Sequence, residues 1–195
     1  MRKTRLEAFS DGVIAILITI MVLELKVPEG ADMNALRPVL PHLLSYLLSF
    51  VFLAIYWNNH HHMLQATHTI NGKILWANSH LLFWLSLVPA ATAWLGDHSN
   101  AALPAATYGV ILFFAGVAYN VLQRCIIAQE EPGSQLGRAI GKDAKGILSA
   151  ALYAGGAALA FVNPRISEVI FVLVAAWWLV PDRRIESVIT TTAED

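Results

Sequence analysis

Six apolar runs, separated by short polar stretches, organise the chain: about 6–27, 39–59, 75–95, 105–128, 146–162 and 166–181. Runs of this length and polarity predict membrane-crossing α-helices. The fifth is short and rich in Ala and Gly, which suits close helix packing. The sixth begins near Pro164, Ser167 and Glu168, a capped start. The first run, R-L-E-A-F-S-D-G-V-I-A-I-L-I-T-I-M-V-L-E-L-K-V-P over residues 5–28, dominates the pattern. As a helix from Leu6 to Val27 it is about 33 Å long, enough for a bilayer core of roughly 30 Å. Between Gly12 and Leu23 it holds no charge and one hydroxyl, Thr19, with Asp11 before the run and Glu24 after it. Arg5, Glu7, Ser10 and Asp11 crowd its start, where ionisable groups are costly unless paired or facing water inside a bundle. Gly12, Ile16, Thr19, Ile20 and Leu23 recur at spacings of three and four and form one stripe. A packing or lipid-facing stripe has the same periodicity as one facing a symmetry axis.

The composition agrees with a membrane class. Hydrophobic residues make up 56% of the 195 positions and charged ones 14%, against about 25% in soluble domains. A net charge of −1 excludes a basic nucleic-acid surface, and no zinc-finger, RNA-binding or phosphate-loop motif is present. The single Cys125 forms no internal disulfide. M-R-K-T-R ahead of an apolar run resembles a signal peptide, but Glu7 and Asp11 interrupt it and no small-x-small site follows, so the run is read as a retained span.

With the N-terminus in the cytoplasm, ten of the thirteen basic residues fall inside: Arg2, Lys3, Arg5, Lys73, Arg124, Arg138, Lys142, Lys145, Arg183 and Arg184. Lys26, Arg37 and Arg165 fall outside. That bias places both termini inside a multi-pass protein of the cell membrane. Trp57, Trp76, Trp177 and Trp178 sit near inner ends and Trp94 near an outer one, while mid-span Trp84 needs a packing or lumen role. No repeat or soluble domain is visible: residues 1–181 read as one six-span unit and 182–195 as a polar cytoplasmic tail. The one sizeable hydrophilic connection, Gln129 to Lys145, reads as a cytoplasmic turn. A unit this small encloses a pore only as an oligomer, most simply a closed ring.

His60, His61 and His62 follow one another at the inner end of the second run, and His80 lies at similar depth in the third. Consecutive helical residues point about 100° apart, so three in a row do not converge on one metal. A polar cluster bonded to the start of the first run, solvated interface residues, and a shared metal or haem with His80 are the readings left open. Histidines also admit proton sensitivity. Asn78 reads as a helix-packing hydrogen bond or an ion ligand, and His42, Ser45 and Ser49 as bonds across helices. No Ser-His-Asp or Cys-His pairing is legible, so enzyme chemistry finds no support, and no metal site is assigned.

The pattern R-x-x-x-F-S-D, carried by Arg5, Phe9, Ser10 and Asp11, resembles the signature of the transmembrane protein 175 family of potassium channels. The likeness runs on to Glu24 and returns at Y-W-N-N-H-H (56–61), L-W-A-N (75–78) and around Pro89 in L-V-P-A-A-T-A-W-L-G. Beyond Gly109 only the helix count agrees. The resemblance implies a potassium-selective cation channel without the T-V-G-Y-G filter, which this chain also lacks. It implies a pore lined by the first span of each of four subunits, with potassium as permeant ion, no cofactor, and the lipid bilayer and other copies of the chain as partners. Carried over by position, Ile16 is the apolar constriction, Thr19 lies a turn further, and Ile20 and Leu23 add apolar layers. Arg5, Phe9, Ser10 and Asp11 form an inner-end network with His60 or His61 and Asn78, and Glu24 stands at the outer mouth. His80 departs from the family's usual apolar residue. The alternatives are a proton-coupled secondary transporter, which favours broken helices and inverted repeats, and a membrane haem or metal protein.

Overall fold

The structure is a computed structural model that describes residues 3–65, 67, 69–129 and 143–179. Every long element is helical: α1 (Lys3–Leu23), α2 (Leu40–Gln65), α3 (Gly72–Ser86), α4 (Val88–Asp97), α5 (Ala102–Ile127), α6 (Ala144–Leu159) and α7 (Pro164–Leu179). A short 3-10 turn, Met33–Leu36, lies between α1 and α2, started by Asp32, whose carboxylate accepts from the Ala35 N–H. That turn falls in a stretch with no apolar run and was not expected from the sequence.

Among the described residues four segments are long and apolar enough to cross a membrane: α1, α2, the α3–α4 pair over Gly72–Asp97, and α5. The third run is therefore a broken helix. Pro89 has no N–H to give the carbonyl four residues back, and its ring crowds that carbonyl, so the helix is interrupted at Leu87 and restarts. α6 and α7 have 16 residues each, about 24 Å of helix. α1 stops at Leu23, not Val27, because Pro28 biases its predecessor away from helix and Lys26 swings to Asp97. Glu24 is thus just past the helix end. α2 runs on to Gln65 and carries all three consecutive histidines. Most of the 129–145 connection and the polar tail lie outside the described residues.

Helix starts follow the sequence. Asn71 accepts from the Ile74 N–H at 2.9 Å, Asp143 from the Gly146 N–H at 2.9 Å, and Asn163 from the Arg165 N–H at 3.0 Å. Asn163, not Ser167 or Glu168, supplies the side-chain oxygen at the start of α7. Ser167 is instead fully buried and donates to the Gly156 carbonyl across the helix pair.

Successive segments run in alternating directions. Lys3 on α1 donates to the Gln65 carbonyl that ends α2, while at the opposite end Lys26 meets Asp97 at the end of α4. α5 is the hub, packing on α3, α6 and α7. Small residues permit that approach. Phe171 of α7 is fully buried against Gly109 of α5 and Gly156 of α6, each with no Cβ to obstruct its ring.

Candidate functional site

α1 has two opposed faces. Leu6, Ser10, Ile14, Leu17 and Met21 pack into the subunit. At about 100° per residue the stripe Gly12, Ile16, Thr19, Ile20 and Leu23 falls on the other side, and it is exposed throughout. Ile16 is 57% exposed and Leu23 83%, values that mark an uncovered ridge within one subunit. The Thr19 hydroxyl donates to the Ile16 carbonyl at 2.9 Å, so its proton is held by the backbone and its oxygen lone pairs remain free on the exposed side. Glu24 is exposed at the end of the ridge.

The predicted inner-end group separates into three parts. The first is a buried chain of hydrogen bonds. His60 Nε2 lies 2.7 Å from Asn78 Oδ1, Asn78 Nδ2 donates to Ser10 Oγ at 3.0 Å, and Ser10 Oγ donates to the Leu6 carbonyl at 2.9 Å. Ser10 and Asn78 have no exposure and His60 has 1%. Since Asn78 Oδ1 only accepts, His60 carries its proton on Nε2. The chain passes from α2 through α3 to α1 and ends on α1's own backbone.

The second part lies at the edge. Trp57 Nε1 donates to Asp11 Oδ1 at 2.9 Å, and His61 stacks on the Trp57 ring with centroids 5.6 Å apart. His61 also bonds Gln65 one turn on. The third part is free within the subunit: Phe9 is 57% exposed, and Arg5 makes no hydrogen bond or ion pair among the described residues. Both lie on the ridge side of α1, so they do not join the Ser10 network in this subunit. The turn of 100° per residue separates them from Ser10.

His80 does not meet the other histidines. It is exposed on α3 and accepts from Trp84 Nε1 at 3.0 Å. Two positions along a helix from Asn78, it points about 200° away. Among the described residues no group of three His, Cys, Asp or Glu side chains could hold a metal ion. Trp84 has a packing role, stacked on Phe114 at 4.5 Å.

Two features escaped the reading of the sequence. Its sequence position makes Trp57 an interfacial anchor, yet it is the hydrogen-bond partner of Asp11, and an acid within a span demands such a donor. At the opposite end Asp97, the last residue of α4, joins the segment after α1 to α2: it binds Lys26, and His42 Nε2 lies 2.9 Å from the same carboxylate. Midway, a second buried chain runs from Tyr108 through Ser49 (2.8 Å) and Thr92 (2.6 Å) to the Val88 carbonyl (2.7 Å), beside Met21 of α1. His42 and Ser49 therefore bond across helices, while Ser45 returns to the His42 carbonyl of its own helix.

The comparisons with known proteins agree with this geometry. Residues 5–89 match the family described as "Endosomal/lysosomal potassium channel TMEM175". A protein of Chryseobacterium sp. (strain P1-3) named a potassium channel is 53% identical over 95% of this chain and 97% of its own length. Another potassium channel, from Chamaesiphon minutus, is 34% identical over 60% of this chain and 63% of its own. A protein from Bos taurus, named an endosomal/lysosomal proton channel, shares 37% identity over 33% of this chain and 17% of its length. The crystal structure of a lysosomal potassium-selective channel TMEM175 homolog from Chamaesiphon minutus superposes with a TM-score of 0.78 at 27% identity, covering 92% of this chain and 97% of that one. With nearly its whole length shared at more than half identity with a curated member, and the same helical fold, this chain belongs to the TMEM175 potassium-channel family.

Proposed function

We propose that this chain is one subunit of a potassium-selective channel, in which four copies bring the ridge of α1 around a shared axis and conduct ions passively. The observation that carries this reading is the ridge itself. Gly12, Ile16, Thr19, Ile20 and Leu23 are exposed on a helix whose opposite face is anchored by the buried Ser10–Asn78–His60 chain. Four Ile16 side chains make a narrow apolar ring that controls passage through dewetting and ion dehydration. Potassium sheds water more readily than sodium, so such a ring favours it. Thr19, with its proton turned to the backbone, offers oxygen lone pairs one turn away. Glu24 and Asp11 near the two mouths raise the local cation concentration.

In the proposed topology α6 and α7 complete six spans, both termini face the cytoplasm and the protein lies in the cell membrane. Supporting that orientation, Lys3, Arg5, Lys73, Arg124 and Lys145 stand where α1, α3 and α6 begin and α2 and α5 end, against Lys26, Arg37 and Arg165 at the other end.

Bi-ionic potassium–sodium recordings on proteoliposomes test the function. Unitary currents reversing toward the potassium potential are expected. Saturating flux coupled to a proton gradient, with no unitary events, would replace the channel by a carrier. Ile16→Asn is expected to wet the ring and relax potassium-over-sodium preference, and unaltered selectivity would remove Ile16 from the constriction.

A further inference from the structure

Between the first half of α2 and α7 runs a groove of about 850 Å³. Leu44 and Leu48 form one wall, Val172 and Leu173 the other. From Arg165 to Leu179 it follows about 21 Å of α7 at 1.5 Å per residue, more than the ~15 Å of one leaflet's hydrocarbon. At its outer end the lining turns polar, with Arg37, Arg165 and Asn100.

The charge at that end is unusual. Among the described residues three basic side chains stand there: Lys26, Arg37 and Arg165. Lys26 is held by Asp97. The other two both line the groove, at the end that the proposed orientation places outside, where basic residues are otherwise depleted. Among the described residues Arg165 donates to Asn100 Oδ1 at 3.5 Å and interacts electrostatically with Glu168, and Arg37 makes no side-chain bond. Glu168, one turn deeper, also lines the groove, and its Oε1 is shielded with no hydrogen-bond partner among the described residues. Among the charged residues that line the groove, two guanidinium groups stand against one carboxylate at the head of an aliphatic trough.

We propose that this groove is a binding site for an anionic phospholipid, with its phosphate between Arg37 and Arg165 and one acyl chain laid between α2 and α7. Guanidinium groups present paired N–H donors that match phosphate oxygens, and charge-assisted bonds of this kind are strong next to hydrocarbon. A zwitterionic lipid of the same chains gains the trough but not the net attraction. The Glu168 carboxylate opposes the phosphate, so its neutralisation should tighten binding.

Native mass spectrometry of the full chain in detergent, with phosphatidylglycerol and phosphatidylcholine of matched chains at equal concentration, tests the site. The wild type should retain phosphatidylglycerol at least threefold over phosphatidylcholine. Arg37→Gln with Arg165→Gln should bring that ratio to about one, and Glu168→Gln should raise it. Leu44→Trp, which fills the trough, should lower retention of both lipids. Arg37→Gln alone keeps the test intact if the double variant does not fold, because its side chain supports no bond among the described residues. Equal retention by the wild type, or a preference that survives loss of both arginines, overturns the proposal. So does efficient cross-linking of Val172→Cys to a neighbouring copy, which would make the groove a subunit contact.

Discussion

The Asn78 amide donates to Ser10 Oγ at 3.0 Å between two side chains without solvent exposure, and this bond fastens α1 to α3. Its position makes it a hinge pin for the ridge. Ser10 faces into the subunit while Gly12 and Ile16, on the same two turns, face out. Ser10→Ala leaves an amide N–H without its partner, and an orphaned buried donor costs about 1–3 kcal/mol. Between membrane helices the lower part of that range is the usual one. Asn78→Leu removes the partner of both Ser10 and His60 and should cost more. Thermal melts in detergent should fall in the order wild type, Ser10→Ala, Asn78→Leu, and coincident melts would show that the chain contributes nothing.

Neighbouring residues on α1 should respond oppositely to one substitution. Leu17 is 6% exposed and Ile16 57%. Leu17→Asn places an amide in the core and is expected to lower stability by several kcal/mol. Ile16→Asn should leave the melt of the subunit nearly unchanged and lower the potassium-to-sodium permeability ratio several-fold. A large loss of stability in Ile16→Asn with selectivity intact would mean that the ridge packs and does not conduct.

Close approach around Phe171 predicts intolerance to a single methyl group. A Cβ at Gly156 would sit 2.7 Å from the Phe171 ring, and one at Gly109 2.6 Å from it and 3.2 Å from the Ala157 backbone. Phe171 is fully buried and has nowhere to move, so overpacking of about 1–3 kcal/mol is expected for either Gly→Ala change. Gly155→Ala, with nothing within 4 Å of the new atom, is the control and should melt at or slightly above the wild type.

At the end of the bundle opposite the N-terminus, Asp97→Ala should release both Lys26 and His42. Asp97 is 41% exposed, so its pairing contributes at most about 1 kcal/mol to global stability. The effect should be local: faster amide hydrogen exchange over residues 20–27 with little change in the melt. Unchanged exchange there would show that the end of α1 is held by packing alone.

Much of the architecture was legible before folding. The four long spans lie where apolar runs predicted them, within about four residues except where α2 runs on past 59 to Gln65, and the R-x-x-x-F-S-D pattern pointed to the right family. The misplaced details have physical causes. Pro89 broke the third run because a missing N–H is a local fact that hydropathy does not weigh. The end of α1 moved from Val27 to Leu23 because Lys26 is apolar along most of its length and continues a hydropathy window while its charge seeks Asp97. His80 lay near the right depth but on the wrong side of α3. Trp57 was recognised for its ring, although its N–H is the group that answers Asp11.

The chain's order of residues determined by itself where the helices lie, which of their ends carry charge, and that polar side chains at the start of α1 require partners. Only the tertiary structure decided which face of α1 is covered. Both faces are apolar, because a membrane protein's core and the medium around it are equally oily, so periodicity marks two stripes and prefers neither. The choice came from polar partners at matched depth: the antiparallel run of α2 and the parallel run of α3 set His60 and Asn78 level with Ser10. Those bonds turned the Leu17 side inward and left Ile16, Thr19 and Leu23 free.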